Sequence, residues 1–161
     1  MIILGLDLGT HTGWAESIAG MRKVTSGTWT LATPKEIKKQ GENRGDRDFD
    51  IRVKRLADNL RKNYIYDLIV FEDVEFVKFR LQAQLWASFR AAAWLAPATK
   101  FLSVPVGTLK KFATGWHSAT KEQMAEALMR RYPSLVKPGQ GDDEVDALWL
   151  MLYSLNVYKK L

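Results

Sequence analysis

The order of strand and helix patterns along the chain predicts an α/β fold with one five-stranded mixed sheet flanked by helices. Three strands come first with only turns between them, which is typical of an antiparallel meander. Strands and helices then alternate, and crossover connections of that kind make neighbouring strands parallel. The 161 residues, 47% of them hydrophobic and 26% charged, fit a single globular domain spanning residues 1–161.

The first three strands are predicted from the N-terminal segment. Ile2–Leu8 is apolar except for Gly5 and Asp7, a pattern typical of a central strand buried on both faces. Turns at Gly9–Gly13 and Ala19-Gly20 separate two further strands, Trp14–Ile18 and Val24–Leu31. A charged residue in a buried strand is costly, so Asp7 requires a structural or chemical role.

The segments that follow predict a loop, a helix and a fourth strand. Thr33–Asp48 is rich in Lys, Gly, Glu and Arg, which is typical of a surface loop. A helix over about Phe49–Asn63 places Val53, Leu56 and Leu60 on one face. Asp67–Glu72 then predicts a strand that ends on Glu72.

The C-terminal half predicts one more strand and three helices. A helix over Phe79–Leu95 is stopped by Pro97, and Phe101–Pro105 forms the fifth strand. Thr120-Lys-Glu-Gln123 matches a capping box that opens a helix ending before Pro133. The last helix covers about Asp143–Val157, with apolar residues at a spacing near 3.6.

The composition limits the chemistry and the setting. The chain has no cysteine and only two histidines, His11 and His117, so thiolate chemistry is excluded and any metal must be held mostly by oxygen. Because the N-terminal segment lacks a basic region and a cleavage site, and apolar runs are short, we expect a cytoplasmic protein without a signal peptide or membrane span. A net charge of +6 favours an anionic partner.

Four acidic residues are predicted to meet although they are far apart in the chain. If the first and fourth strands pair in parallel, Asp7 and Glu72 lie at the same edge of the sheet. Asp143 and Asp146 are three residues apart, hence on one face of the last helix, and this spacing favours Asp143 over Glu144 as the partner of Asp146. The alternative is a solvated helix start, where acidic residues are common.

Carboxylates converging without thiols and with few imidazoles form a site for hard cations, Mg²⁺ or Mn²⁺, rather than zinc. Two such ions roughly 4 Å apart activate water and stabilise the leaving oxygen of a phosphodiester. The basic surface would hold the polyanion.

Several segments form a pattern along nearly the whole chain: Gly-Leu-Asp-Leu-Gly-Thr at 5–10, Phe-Glu-Asp-Val at 71–74, Lys-Lys at 110–111, Ser-Ala-Thr-Lys at 118–121 and Asp-Asp-Glu-Val-Asp-Ala-Leu at 142–148. In order and approximate spacing these segments resemble those of the RuvC Holliday junction resolvases. The resemblance implies an RNase H-like fold, a homodimer and Mg²⁺-dependent symmetric cutting of four-way DNA junctions, leaving 5′-phosphate and 3′-hydroxyl ends.

The resemblance also implies residue roles. The catalytic, metal-binding acids are Asp7, Glu72, Asp143 and Asp146, which would hold two Mg²⁺ ions per site, with Mn²⁺ as a substitute. Lys121 is implied as a catalytic residue that contacts phosphate, and the DNA-binding residues that we expect are Lys110, Lys111, Lys121, Phe76 and Arg90. His11 and His117 are left without an assigned role.

The chain departs from the family pattern after Glu72. RuvC proteins commonly carry an aromatic residue three positions later, where this chain has Glu75, and the aromatic residue is Phe76. Strictness for four-way over other branched DNA is therefore open, and the divergence is typical of a phage-borne or stand-alone member for which no helicase partner is assumed. Two alternatives remain: a non-catalytic module that binds branched DNA, and an ATP-binding relative of actin-like proteins and sugar kinases, which share a Gly-Leu-Asp-Leu-Gly-Thr-like loop.

Overall fold

The computed structural model describes residues 1–42, 50–74 and 79–158. The strands are β1 (Ile2–Asp7), β2 (His11–Ile18), β3 (Lys23–Thr30), β4 (Leu68–Asp73) and β5 (Phe101–Pro105). The helices in these ranges are α1 (Pro34–Glu42), α2 (Ile51–Leu60), α3 (Arg80–Trp94), α4 (Val106–Thr114), α5 (Lys121–Arg131) and α6 (Asp142–Tyr158), with a short 3₁₀ turn at Pro133–Leu135.

The strands form one mixed sheet in the order β3-β2-β1-β4-β5. β1, β2 and β3 are antiparallel neighbours, whereas β1, β4 and β5 run parallel. The predicted five-stranded mixed sheet is therefore confirmed. β1 is central, as its apolar sequence predicts, and its parallel pairing with β4 is the one that the acidic cluster requires.

Successive residues of β1 face opposite layers because side chains alternate along a strand. Ile3 packs in the cluster with α4, α5 and α6, while Leu4 and Leu6 pack in the cluster with α2 and α3. β4 alternates in the same way, with Val70 on the α6 side and Phe71 on the opposite side. By this alternation Asp7 and Glu72 both belong to the face that α6 covers.

Two helices were missed by the sequence patterns. Pro34–Glu42 is helical, so the loop predicted over Thr33–Asp48 is wrong for that part, and residues 43–49 lie outside the described residues. Thr33 and Glu36 cap this helix reciprocally, since the Glu36 amide donates to Thr33 Oγ1 at 3.3 Å and the Thr33 amide donates to Glu36 Oε2 at 2.8 Å. The other missed helix is α4, which begins after Pro105 and ends at Gly115 in the left-handed conformation (φ 93°).

The remaining boundaries differ from the predictions by a few residues. β2 begins at His11, so most of the segment predicted as a turn is strand, and α2 ends at Leu60 rather than Asn63. The fifth strand and the capping box at Thr120 lie where they were predicted. Within the part of the chain that the structure describes, no helix has the length and apolarity needed to cross a bilayer.

Candidate active site

Asp7 and Glu72 lie at neighbouring strand ends. In the parallel pairing of β1 with β4, Leu6 lies opposite Phe71, so the next residue of each strand is the acid. Both acids follow apolar, buried strand residues, and these hold the backbone of the two strands in register. Two carboxylates therefore meet at the carboxyl edge of the sheet, on the face covered by α6.

Glycines let the start of α6 approach this edge closely. Gly13 is the β2 partner of Asp7, and a Cβ at Gly13 would lie 2.9 Å from the Glu144 nitrogen and closer still to the Asp143 carbonyl oxygen. On β1, a Cβ at Gly5 would lie 2.9 Å from the Met151 nitrogen. Since no side chain fits in these gaps, backbone packs on backbone and the first turn of α6 lies directly beside Asp7.

The ionisation of the acids shows that they share one electrostatic environment. Burial and, after it, the negative charges of Glu72, Asp146 and Asp143 together raise the pKa of Asp7 to about 8, although the charge of Lys121 lowers it. Burial and then Asp146 raise the pKa of Glu72 to about 7. Burial also raises the pKa of Asp146 to about 6, although Lys121 lowers it. The four acids therefore interact across the sheet and helix.

The donor set fits a hard divalent cation. The four acids supply only carboxylate oxygens. The repulsion that, after burial, raises the pKa values of Asp7, Glu72 and Asp146 is relieved when a cation binds among them. Within residues 1–42, 50–74 and 79–158, however, no three His, Asp or Glu side chains already stand in an arrangement that would hold an ion. The strand pairing and the close approach of α6 nevertheless bring the backbones of the four acids to the same edge of the sheet.

Two lysines flank the acids. Lys110, on α4, lowers the pKa values of Glu72 and Asp146, so its charge lies close to the cluster. Lys121, at the start of α5, approaches Asp142 Oδ2 with its Nζ at 3.4 Å. Partial burial lowers the pKa of Lys121, but the hydrogen bond with Asp142 and the charges of Asp146 and Asp143 outweigh this and raise it. Lys121 thus stays charged beside the acidic edge.

Glu144 lies outside this cluster. Its side chain is 10% exposed, and its Oε1 accepts hydrogen bonds from Ser26 Oγ at 2.6 Å, Lys137 Nζ at 2.9 Å and Gln140 Nε2 at 3.1 Å. Burial opposes ionisation, but these three donors lower the pKa of Glu144 below its usual value. The network ties the start of α6 to β3 and occupies the Glu144 carboxylate. Sequence patterns did not identify this network. Asp143 as the acid that accompanies Asp146 stays a prediction.

Arg90 lies in an ion pair. Its Nη2 donates to Asp73 Oδ1 at 3.1 Å, and its guanidinium carbon lies 4.8 Å from the centre of the Trp86 ring. The pair ties α3 to the end of β4, next to Glu72. Contact of Arg90 with DNA stays a prediction.

The other predicted site residues are more peripheral or lie outside the description. Lys111 is exposed on α4. Phe76 and Glu75 lie outside the described residues. His11 is exposed, with its Nδ1 3.3 Å from Thr30 Oγ1, and His117 lies against α4 at Gly107.

Comparison with solved structures identifies the fold. The chain superposes on RuvC of T. thermophilus in complex with a Holliday junction substrate with a TM-score of 0.69, at 17% identity over 99% of this chain and 96% of that one. A second structure of Thermus thermophilus RuvC gives a TM-score of 0.64, also at 17% identity, over 99% of this chain and 97% of that one. The Fowlpox virus resolvase in complex with Holliday junction DNA gives 0.54, at 11% identity over 98% and 99%.

No family model and no curated protein matches the sequence itself. The likeness therefore lies in the arrangement of the strands and helices, over nearly the full length of the chains compared. The chain has a RuvC-type resolvase fold, and the predicted RNase H-like architecture is confirmed.

Proposed function

We propose that this protein is a divalent-metal-dependent endonuclease that resolves Holliday junctions and cuts other branched DNA in the cytoplasm by paired symmetric nicks. The single observation that carries the proposal is the convergence of Asp7, Glu72, Asp143 and Asp146 at one edge of the sheet in a fold shared with junction resolvases. Partly buried, mutually repelling carboxylates are costly to a fold and are typical of a functional site.

The residues divide the work of phosphodiester hydrolysis. The four carboxylates would hold two Mg²⁺ ions, or Mn²⁺ in their place, and the bound ions supply water activation and stabilisation of the leaving oxygen. Lys121, charged and next to the acids, orients the scissile phosphate and offsets its negative charge. Lys110 does the same from α4, while Lys111 and the exposed basic surface bind more distant phosphates.

A homodimer would place the two cuts symmetrically in the junction. A twofold axis places two identical sites on opposite strands, which matches the symmetry of a four-way junction. The mass of the protein bound to a junction, measured by light scattering, is expected to be that of two chains. A single chain that makes both incisions in one binding event would refute the dimer.

The test is a cleavage panel with a four-way junction, a three-way flap and a linear duplex, each in Mg²⁺, Mn²⁺ and EDTA. The wild type is expected to nick the branched substrates only with a divalent ion, and Asp7→Asn to bind them without cutting. Asp58→Asn is the matched control, because Asp58 lies on α2 in an exposed pair with Lys54 at 2.7 Å. We expect it to cut like the wild type.

The outcomes separate the alternatives. If Asp7→Asn cuts at the wild-type rate, the metal site is wrong. Salt-dependent binding to branched DNA with no cleavage in either metal would identify a non-catalytic binding module. Saturable heat on titration with ATP, without binding to DNA, would support the actin-like alternative.

A further inference from the structure

Trp116 is exposed to an unusual degree for a tryptophan. It leaves 73% of its surface in solvent, compared with 52% for Trp94 and none for Trp149. Large aromatic side chains are normally packed, and one that stands alone in solvent is available for a partner. The way in which the backbone of Trp116 is held and the residues around its ring indicate the chemistry of that partner.

The backbone of Trp116 is held firmly although its ring is free. Gly115 ends α4 in the left-handed conformation, with φ at 93°. Thr114 Oγ1 then accepts a hydrogen bond from the Trp116 amide at 3.1 Å and donates to the Lys110 carbonyl at 2.9 Å. On the other side of the loop, Ala119 is buried and Thr120 caps α5. A ring presented on a fixed backbone loses little conformational entropy when it binds.

The loop that carries Trp116 folds back over the face of α4 that carries Lys110. Gly107, Lys110 and Thr114 share one face of this helix because they are three, four and seven residues apart. His117 lies over Gly107, where a Cβ would be 3.5 Å from its Nδ1, and the Trp116 amide is bonded to Thr114. The loop therefore runs beside Lys110.

The charge around the loop is mostly positive. Lys110 and Lys111 precede it, Lys121 follows it, and Arg130 lines the groove beneath the ring together with Thr114, Gln123, Glu126 and Ala127. Glu126 is the one acid in that lining. A flat aromatic ring among cations suits a nucleic-acid base attached to an anionic backbone.

We propose that Trp116 stacks on an unpaired base of branched DNA beside the scissile phosphate, and so favours branched over continuous duplex DNA. The inference rests on the proposed function. Bases inside a duplex are already stacked on both faces and offer no surface to the ring, whereas a base at a branch point exposes one. Trp116 is thus a specificity residue, separate from the acids that carry the chemistry.

The experiment measures binding to a four-way junction with 2-aminopurine at the branch point and to a linear duplex of equal length, both in EDTA to prevent cleavage. The variants are Trp116→Ala, Trp116→Leu and Trp116→Phe. Leu95→Ala is the control, since Leu95 is 86% exposed after α3. Circular dichroism confirms that each variant is folded.

Trp116→Ala and Trp116→Leu are expected to weaken junction binding about 10- to 100-fold and to lose the quenching of 2-aminopurine, with duplex binding changed less than about twofold. Trp116→Phe is expected to keep most of both signals, and Leu95→Ala to match the wild type. The inference is overturned if Trp116→Leu binds like the wild type, if junction and duplex weaken equally, or if Trp116→Ala changes only the number of chains per particle.

Two results separate the stacking role of Trp116 from the nuclease activity of the protein. If the wild type cuts junctions and Trp116→Ala binds and cuts them equally well, only the stacking role is wrong. If the wild type neither binds junctions in preference to duplex nor cuts them, the proposed function fails and the inference fails with it.

Discussion

Replacing Asp7 with Asn is expected to stabilise the metal-free protein at about pH 8 and to remove its response to Mg²⁺. Burial and the neighbouring acids hold the pKa of Asp7 near 8, far above the ordinary value of 3.8. Between these two pH values the folded state keeps a proton that the unfolded state has released. The stability that this proton contributes is full below the unfolded pKa and is lost as the pH rises through the folded pKa.

The size of the effect follows from the shift. Each pKa unit corresponds to about 1.4 kcal/mol, so the full shift from 3.8 to about 8 sets an upper bound of about 6 kcal/mol. The net gain for Asp7→Asn is smaller, because Glu72 and Asp146 share the repulsion and the buried amide must find hydrogen bonds. We expect about 2 kcal/mol at pH 8, which is roughly 4–8 °C in the midpoint of thermal unfolding.

Urea and thermal unfolding, followed by circular dichroism at about pH 5 and pH 8 in EDTA and in excess Mg²⁺, measure this gain. The wild type in EDTA should lose stability between pH 5 and pH 8 and regain it with Mg²⁺. The variant should lose less over that range, because only Glu72 and Asp146 still titrate there, and it should respond weakly to Mg²⁺. Asp58→Asn is the control of opposite sign, because the hydrogen bond from Lys54 lowers the pKa of exposed Asp58. An Asp7→Asn variant less stable than the wild type at pH 8 would show that the carboxylate is a structural hydrogen-bonding group.

Three further predictions concern the surroundings of the acids. Gly13→Ala drives a methyl group into the backbone of Asp143 and should lower the free energy of unfolding in urea by at least about 3 kcal/mol. Gly141→Ala is the control, because the space at its Cβ is open, and it should change that free energy by less than about 1 kcal/mol. Equal stabilities of the two variants would refute the close approach of α6. Glu144→Ala removes the shared acceptor of three partly buried hydrogen bonds and should cost about 1–2 kcal/mol, with Glu144→Gln between it and the wild type in thermal unfolding. Identical melting of all three proteins would show that the network contributes nothing. Lys121→Ala should lower the single-turnover cleavage rate about 100-fold, whereas the control Lys54→Ala, on α2, should leave the rate unchanged. A wild-type rate for Lys121→Ala would exclude a role for Lys121 at the scissile phosphate.

The central part of the fold could be predicted because strands that are buried in the core have a recognisable apolar sequence. Ile2–Asp7 is apolar enough to be recognised as a central strand, and its one acid stands out for the same reason. The spacing of Asp143 and Asp146 needs only helical geometry. The meeting of Asp7 with Glu72 needed one assumption, a parallel pairing after a crossover, and the structure has that pairing.

The parts that could not be predicted depend on contacts between distant segments or on short polar helices. Glu144 is one of four neighbouring acids in the sequence, and its burial depends on Ser26, which is 118 positions away. α1 is too polar to show a hydrophobic stripe and is identified by its Thr33 cap instead. α4 spans only nine residues, and Pro105 and Gly115 at its ends were its clearest signals.

The central claim is that Asp7, Glu72, Asp143 and Asp146 bind divalent cations together. Anomalous X-ray diffraction from crystals of this protein grown with Mn²⁺ tests it most directly. We expect two Mn²⁺ peaks roughly 4 Å apart among these four carboxylates, and the loss of both peaks in Asp7→Asn crystals. Mn²⁺ bound only elsewhere on the protein, with the four side chains unchanged, would contradict it.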